Sequence, residues 1–228
     1  MPRTRRLVPE DLPLHIWIRG NNKQWIFRAP EDKEYYLAQL YRFKQPHEIV
    51  IYHYCLMDNH IHIILGVRRS EGLSRFMLRV NLSYFSLYRD KYGYCGHFFQ
   101  NRFHSNIIDS DPYLLQCGKY IELNPVRAKM VEAPEHYQFS SYPYYALGAE
   151  DPLVSPDPAY LALSSVPEKR RTLYTTFVVD PSTVSSQRLR DQRYIGSDAF
   201  IKKAEAFWGF PNKKHPVGRP PKARQTKE

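Results

Sequence analysis

Residues 49–67 read IVIYHYCLMDNHIHIILGV, and this stretch decides the fold because it predicts a β-hairpin. Its two runs, 49–57 and 60–67, are rich in Ile, Val and Tyr, which favour extended strands. Asp58 and Asn59 lie between the runs, and these residue types tolerate the positive φ of a tight two-residue turn. The stretch therefore predicts two antiparallel strands joined by a short turn.

A two-residue turn also fixes the register of the two strands and the composition of their two faces. The predicted register sets Met57 opposite His60, Cys55 opposite His62, and His53 opposite Ile64. The other face is apolar and carries Val50, Tyr52, Tyr54, Leu56, Ile61, Ile63, Leu65 and Val67. We expect the apolar face to be buried in the core and the histidine face to be the place for chemistry.

The segments on either side of the hairpin predict an α+β protein. Apolar and β-branched residues predict further strands at 14–19 and 98–108. Apolar residues at helical spacing predict a helix that begins at Pro30, one at 72–90, and one at 112–123. The order β-α-β-β-α-β-α predicts a ferredoxin-like, RRM-like antiparallel sheet with helices packed on it.

Composition predicts three segments along the chain. Residues 1–147 form the main domain. Residues 148–210 form a Pro/Ser-rich connection and a small helical extension, with short helices at 167–177 and 197–208. Residues 211–228 are basic and rich in Pro, and we expect them to be disordered until they meet a partner.

The charge of the chain favours a nucleic-acid partner. The sequence has 33 Lys and Arg against 23 Asp and Glu, a formal net charge of +10. Such an excess attracts polyanions, because each neutralised phosphate releases condensed counterions. Its 18 Tyr and 12 Phe also supply rings on which unpaired bases can stack. A basic surface that serves only solubility is the less favoured alternative.

The cysteines and the apolar segments indicate the compartment. Cys55, Cys95 and Cys117 form no C-x-x-C pair, which argues against a disulfide framework and fits a reducing environment. No apolar stretch follows the basic N-terminus, and no apolar run is long enough to span a bilayer. We therefore expect a cytoplasmic, nucleoid-associated protein without membrane contact.

His60 and His62 are the first candidates for chemistry. Residues two apart in a strand point to the same face, so both imidazoles can bind one divalent metal ion. Ile61 between them faces the core and anchors the pair. The alternative is two partly exposed strand histidines without a ligand, and a bare H-x-H pattern alone favours that alternative.

Tyr120 and Asn124 are the second candidate pair. They lie four residues apart on one face of a helix, where a phenolate can attack a phosphodiester and an amide oxygen can complete a metal site. The alternatives are a core aromatic for Tyr120 and an N-cap before Pro125 for Asn124. This segment alone favours those alternatives.

Taken together, the two motifs indicate a family. MDNHIH at 57–62 followed by YIELNPVRA at 120–128 resembles the REP-associated tyrosine transposases, which belong to the HUH single-tyrosine transposase superfamily. The sequence is similar to further landmarks of that family at RGNN (19–22), NRFHS (101–105) and SSY (140–142). The resemblance covers about residues 8–146.

The resemblance implies an enzyme that cleaves and transfers single-stranded DNA, with residues 1–147 as its catalytic domain. His60 and His62 would hold Mg²⁺ or Mn²⁺, which polarises the scissile phosphate. Tyr120 would be the nucleophile that forms a 5′-phosphotyrosine link, which a later 3′-OH can reverse without ATP. The third metal ligand of related transposases corresponds to Asn124, a weaker ligand than a carboxylate. Glu122 lies on another helical face and is a poorer candidate.

The implied substrates are repetitive extragenic palindromes (REP), folded as hairpins of single-stranded DNA and bound by a monomer or a homodimer. Candidate DNA contacts are Arg19, Asn21, Lys23, Arg102, Arg127 and Arg219. A cap or an ion pair within the fold is the alternative for Arg127. Arg219 lies in GRPPK at 218–222, which resembles an AT-hook but has Val217 where arginine is usual. A plain basic tail is the alternative there.

Two further functions stay open on the sequence alone. A non-catalytic module that binds single-stranded nucleic acid would present sheet aromatics such as Tyr52, Tyr54 or Tyr84 to bases. A structural Zn²⁺ site would use Cys55, His53, His60 and His62 on the hairpin face. The zinc site ranks last, because four ligands along a flat sheet rarely converge on a tetrahedron.

Overall fold

The computed structural model describes residues 6–109, 112–180, 189 and 191–213. The predicted AT-hook and its Arg219 lie outside these residues. Within the described ranges, none of the helices is long and apolar enough to cross a membrane.

The described elements follow the predicted order. The strands are β1 (Leu14–Arg19), β2 (Ile49–Met57), β3 (His60–Val67), β4 (His104–Ile108) and β5 (Tyr194–Ile195). The helices are α1 (Pro30–Lys44), α2 (Ser70–Tyr92), α3 (Pro112–Glu122), α4 (Asn124–Arg127), α5 (Pro158–Ala162), α6 (Pro167–Val179) and α7 (Asp198–Trp208). The helices α6 and α7 correspond to the two that the sequence predicts in the C-terminal extension.

The strands form one sheet in the order β2-β3-β1-β4-β5. The first four strands pair antiparallel, and with α1 and α2 they have the arrangement of a split β-α-β-β-α-β unit. The predicted α+β class, with helices packed on a sheet, is confirmed. The sheet is mixed rather than wholly antiparallel, because the short β5 of the C-terminal extension adds parallel to β4.

Different helices cover the two faces of the sheet. α1 and α2 pack together on the face where the apolar residues Leu14, Ile16 and Ile18 of β1 are buried. α3 packs across β2 and β3 on the opposite face. A Cβ at Gly118 would lie 2.7 Å from Cε1 of His53, so only glycine lets α3 approach β2 this closely.

The hairpin has the predicted register near its turn and a β-bulge near Tyr52. Met57 pairs with His60, Cys55 with His62, and His53 with Ile64, as predicted. Beyond the bulge, Ile51 pairs with Leu65 and Ile49 with Val67. The extra residue reverses the alternation, so Ile49 and Ile51 lie on the core face and the assignment of Val50 and Tyr52 to that face is wrong.

The strand predicted over 98–108 is shorter in the structure. Trp17 pairs with His104, but Gly20 bridges Phe99 rather than Asn101, so the ladder between these pairs is interrupted by a loop. The polar residues of this loop are exposed, and Arg102 is one of them. The loop therefore carries one of the predicted DNA contacts on the surface.

The C-terminal extension packs against α3 and β2. Tyr174 of α6 is fully buried, and its hydroxyl binds the carboxylate of Glu122 in α3 at 2.6 Å. The predicted boundaries after residues 147 and 210 stay predictions.

Candidate active site

A cavity of about 240 Å³ lies on the α3 face of the sheet. Its described lining consists of His15, Trp17, Arg19, His60, His62, Tyr120 and Leu189. Trp17 pairs with His62 and Arg19 with His60, so alternate residues of β1 and β3 point to this face. The structure thus brings the two strand histidines and Tyr120, which are far apart in the sequence, to one cavity.

The His60 and His62 rings lie on one face, with centroids 5.0 Å apart and planes at 87°. The Nδ1 atom of His60 lies 2.5 Å from Oδ1 of Asn59. The Nδ1 atom of His62 lies 2.8 Å from Nε2 of His15. Because both Nδ1 atoms are engaged, Nε2 of each ring is the nitrogen that can bind a metal ion.

Burial keeps both rings neutral. Burial and the charge of Arg19 lower the pKa of His60 to about 4, although Asp58 opposes the shift. Burial and the neighbouring histidines lower the pKa of His62 well below its ordinary value. Neutral imidazole is the form that binds metal ions, so the pair is ready for a metal at neutral pH.

The donor set fits a divalent ion held by two protein nitrogens. In the part of the chain that the structure describes, no group of three or more His, Cys, Asp or Glu side chains could hold a metal ion. Water and substrate oxygens would therefore take the other coordination positions. A catalytic ion needs such open positions to reach the reacting phosphate.

Tyr120 faces His62 across the cavity. The two ring centroids are 6.2 Å apart with planes at 89°, and Tyr120 is 9% exposed. The phenol therefore lines the same cavity as the imidazoles and is not sealed beneath the sheet. Its role as nucleophile stays a prediction.

Arg127 lies against Tyr120. Its Nη1 donates to the Tyr120 carbonyl oxygen at 2.9 Å, and its Cζ lies 4.9 Å from the centre of the Tyr120 ring. The guanidinium thus caps the end of α3, as the alternative interpretation proposes. Burial lowers the pKa of Arg127, and the charge interaction with Tyr120 opposes that shift. The contact of Arg127 with DNA stays a prediction.

Asn124 is the first residue of α4 and does not cap it. Leu123 occupies the N-cap position, and no side chain there accepts a capping hydrogen bond, so the N-cap interpretation is wrong. Asn124 is 9% exposed, and its Nδ2 is buried with no hydrogen-bond partner among the described residues. Asn124 is not one of the described residues that line the cavity. Its role as a metal ligand stays a prediction.

Glu122 belongs to a buried network that holds α3 on β2. Its carboxylate accepts hydrogen bonds from Ser141 Oγ and the Tyr174 hydroxyl, each at 2.6 Å, and lies 2.9 Å from Nδ1 of His53. Nε2 of His53 lies 3.0 Å from Oδ2 of Asp157. Burial alone lowers the pKa of His53, but the hydrogen bonds with Asp157 and Glu122 outweigh it and raise the pKa to about 9. His53 is therefore a buried cation between two carboxylates.

Two alternatives lose support from these contacts. A zinc site cannot use His53, because both of its ring nitrogens bind carboxylates. Tyr54 and Tyr84 are 4% and 0% exposed and cannot present their rings to bases. The structure therefore does not match the structural zinc site, and of the three predicted aromatics Tyr52, which is half-buried, stays a candidate for base stacking.

Arg19 and Trp17 bring two N–H donors to the cavity. Arg19 Nε and Trp17 Nε1 are both buried, and neither has a hydrogen-bond partner in the described ranges. Buried donors without a partner are costly, and an anionic oxygen in the cavity would satisfy them. These two N–H groups therefore make the cavity suitable for binding an anion such as a phosphate.

Asn21 and Lys23 lie in the loop that follows β1. The N–H of Gly20, at the start of this loop, donates to the carbonyl oxygen of Asn59 at 2.9 Å. Because Asn59 precedes His60, the loop lies beside the histidine pair. Lys23 is exposed and has a φ of 62°, a left-handed conformation that is uncommon outside glycine.

Arg102 lies beside a second cation, Arg6. Burial and the charge of Arg102 lower the pKa of Arg6 to about 10. Arg6 donates to the carbonyl oxygen of Phe103 at 3.0 Å and lies over its ring. Two close cations favour an anionic partner at this surface.

His15 and Trp17 are site residues that the sequence reasoning missed. Both precede Arg19 at intervals of two on β1, so they share its face. That alternation is visible in the sequence, but the pairing of β1 with β3 is needed to place the two residues beside His62.

The comparisons with known proteins identify a family and a similar fold. The profile of the IS200-like transposases matches residues 10–124. The solved structure of a REP-associated tyrosine transposase bound to a REP hairpin is similar, with a TM-score of 0.55 and 16% identity. The similarity covers 69% of this chain and 93% of that one, and at this identity it concerns the fold. No curated protein matches the sequence significantly.

The matched segment contains both candidate groups, the histidine pair of β3 and Tyr120 of α3. It spans residues 10–124 of the 228, half of the chain. The chain therefore belongs to the family of IS200-like transposases.

Proposed function

We propose that this protein is a metal-dependent, single-tyrosine HUH nuclease and strand transferase that acts on REP-type hairpins of single-stranded DNA. The observation that carries the proposal is the cavity shared by His60, His62 and Tyr120. A pair of neutral imidazoles and a phenol on one cavity supplies a metal site and a nucleophile.

His60 and His62 would hold the metal ion through their Nε2 atoms. When bound, Mg²⁺ or Mn²⁺ polarises the scissile phosphate and stabilises the charge that develops on its oxygens. Two imidazole donors suit a first-row ion such as Mn²⁺ better than Mg²⁺, which prefers oxygen ligands. Asn124, one helical turn after Tyr120, is the candidate for a further ligand.

Arg19 and Trp17 bind the phosphate group at the site of cleavage. Their buried N–H donors line the cavity and have no partner among the described residues, so a phosphate oxygen fits both. The contact would orient the phosphorus toward Tyr120, and positioning of this kind contributes to the rate.

Tyr120 attacks the phosphorus with its phenolate oxygen after the phenol proton passes to solvent. A bond forms between that oxygen and the 5′-phosphate, and the bond from phosphorus to the 3′ oxygen breaks. The departing 3′ oxygen takes up a proton and becomes a 3′-OH. Arg127 favours the phenolate, because its cation lies 4.9 Å from the ring centre. A later 3′-OH reverses the step and joins the strands.

Single-stranded hairpins are the proposed substrate class. The similar solved structure holds a REP hairpin, and the net charge of +10 suits a polyanion. Asn21, Lys23 and Arg102 are candidate contacts to the DNA backbone, and Arg219 of the tail is another. Trp25 is 60% exposed in the loop beside the histidine pair, where its ring can stack on an unpaired base.

Adduct formation on denaturing gels tests the proposal. A labelled hairpin oligonucleotide with single-stranded flanks and Mn²⁺ or Mg²⁺ should yield a covalent protein–DNA adduct with the wild type. Tyr120→Phe should abolish the adduct and retain binding. Tyr113→Phe is the matched control, because Tyr113 lies on the same helix outside the described cavity lining, and it should retain the adduct.

Two results would contradict the proposal. An adduct that persists in Tyr120→Phe would move the nucleophile elsewhere. Binding that is indifferent to metal, with no adduct under either ion, would favour the alternative of a non-catalytic module that binds single-stranded nucleic acid.

A further inference from the structure

A third histidine, His15 of β1, contacts one of the two candidate metal ligands. Its Nε2 lies 2.8 Å from Nδ1 of His62, and the two residues are 1% and 8% exposed. The ring centroids are 5.0 Å apart and the planes differ by 12°, so the rings lie nearly parallel. A hydrogen bond at this distance, buried on both sides, constrains the rotation of the His62 ring.

The direction of this hydrogen bond decides whether His62 can bind a metal ion. A neutral imidazole carries one proton, and only its other nitrogen has a lone pair in the ring plane. If Nδ1 of His62 donates to His15, Nε2 of His62 keeps its lone pair. If His15 donates instead, Nε2 of His62 carries the proton and cannot bind a metal.

The other candidate ligand, His60, also has a hydrogen bond at Nδ1, and there the partner atom shows which of the two groups donates. Asn59 Nδ2 donates to the carbonyl oxygen of Lys23 at 3.3 Å, which identifies its other amide atom as Oδ1. That oxygen lies 2.5 Å from Nδ1 of His60 and can only accept, so Nδ1 of His60 carries the proton. Nε2 of His60 therefore has the lone pair.

We propose that His15 is a positioning residue that accepts the Nδ1 proton of His62 and so fixes its tautomer and ring orientation for metal binding. The inference rests on the proposed function, because it gives His15 the role of orienting one ligand of the proposed metal site. His15 acts through His62 rather than as a ligand, because a neutral His15 ring that accepts with Nε2 carries its own proton on Nδ1 and has no lone pair left for a metal. Groups that orient a ligating histidine in this way tune the affinity of the metal.

Mn²⁺ titration of the full-length protein, followed by electron paramagnetic resonance, tests this role without a nuclease assay. His15→Phe removes the acceptor and should weaken Mn²⁺ binding roughly 10- to 100-fold. His15→Gln is the matched variant, because its side-chain oxygen can accept the same proton, and it should retain most of the affinity. Equal Mn²⁺ affinity in the wild type and His15→Phe would overturn the inference, whereas a wild type that binds no Mn²⁺ would contradict the proposed function itself.

Two measurements on the wild type remain decisive if the buried substitutions impair folding. Nitrogen-15 NMR of the Mg²⁺-loaded protein should show the His62 proton on Nδ1, and a proton on Nε2 would overturn the inference. Pulsed electron paramagnetic resonance of the Mn²⁺ form should count two ligating imidazoles. A third ligating imidazole, from His15, would replace the positioning role by direct ligation and would overturn the inference as well.

Discussion

Arg127 and Arg102 were both predicted to contact DNA, yet they lie in different surroundings. Arg127 binds the Tyr120 carbonyl oxygen and covers its ring, whereas Arg102 is exposed in a surface loop. A charge that acts on the nucleophile changes the rate of the chemical step. A charge that acts on the DNA backbone changes binding and its salt dependence.

Arg127→Gln should slow adduct formation at saturating DNA about 30-fold, because it removes a cation–π contact and a hydrogen bond worth about 1 kcal/mol each. Rapid-quench measurement of the adduct over time gives this rate. Arg102→Gln is the control, and it should leave that rate unchanged while lowering the salt slope of binding by about one. If Arg127→Gln changes only the salt slope, Arg127 is a DNA contact and not a partner of Tyr120.

At the residue scale, the motifs predicted the site residues whose direction follows from their own strand or helix. They missed the residues that reach the site only through the pairing of two strands. The resemblance implies that His60, His62 and Tyr120 act on one phosphate, and the structure brings their side chains to one cavity. His15 could not be predicted, because its function depends on the pairing of β1 with β3. The alternative of an N-cap for Asn124 was wrong, because the chain remains helical at Leu123.

The helix that carries Tyr120 depends on the buried network around Glu122. Glu122→Ala should lower the free energy of unfolding by about 3–5 kcal/mol, because it leaves the buried His53 cation without one of its two carboxylates. Urea denaturation measures this loss. Glu168→Ala removes an exposed carboxylate that pairs with Arg171, and it should change stability little. Similar small effects for both variants would show that the network does not support α3.

The same network predicts a pH dependence of stability. Folding raises the pKa of His53 from its ordinary 6.5 to about 9, so the folded state holds the proton more tightly than the unfolded state. The stabilisation is full below pH 6.5 and is lost as the pH rises to 9. The Tm of the wild type should fall over this window more steeply than that of His53→Gln. Parallel pH profiles of the two proteins would argue that His53 is not charged in the folded state.

At the scale of elements, the sequence predicted the positions of the strands and helices well. It did not predict where the hydrogen-bonded pairing of two strands becomes irregular. The hairpin strands have the predicted bounds, because Asp58 and Asn59 fix the turn and the turn fixes the register. The bulge near Tyr52 and the loop that shortens β4 were not predicted. Alternation is a local signal, and an extra residue in one strand is defined only by its partner strand.

In the whole molecule, the C-terminal extension supports the helix that carries Tyr120 of the candidate active site. Asp157 binds His53, and Tyr174 binds Glu122. The fully buried Lys119, which precedes Tyr120, donates to the carbonyl oxygen of Phe177 at 2.6 Å. These contacts hold α3 through Lys119 and Glu122, so the predicted catalytic segment depends on residues beyond its boundary.

A truncated chain of residues 1–147 should therefore not unfold cooperatively, because it leaves the buried Lys119 without its Phe177 partner and His53 with only one of its two carboxylates. A chain of residues 1–213 retains every described contact and should unfold like the full-length protein. Circular dichroism on heating distinguishes the two. If 1–147 melts cooperatively near the Tm of the full chain, the extension is a separate appendage and its contacts with α3 are not important for stability.

The most direct measurement of the central claim is mass spectrometry of the protein–DNA adduct after trypsin digestion. Cleavage after Lys119 and Arg127 releases the peptide YIELNPVR, in which Tyr120 is the single tyrosine. After nuclease trimming, this peptide should carry the mass of a 5′-linked nucleotide, and only when Mn²⁺ or Mg²⁺ was present. A nucleotide on a different tyrosine peptide, or an adduct formed equally in a chelator, would contradict the account.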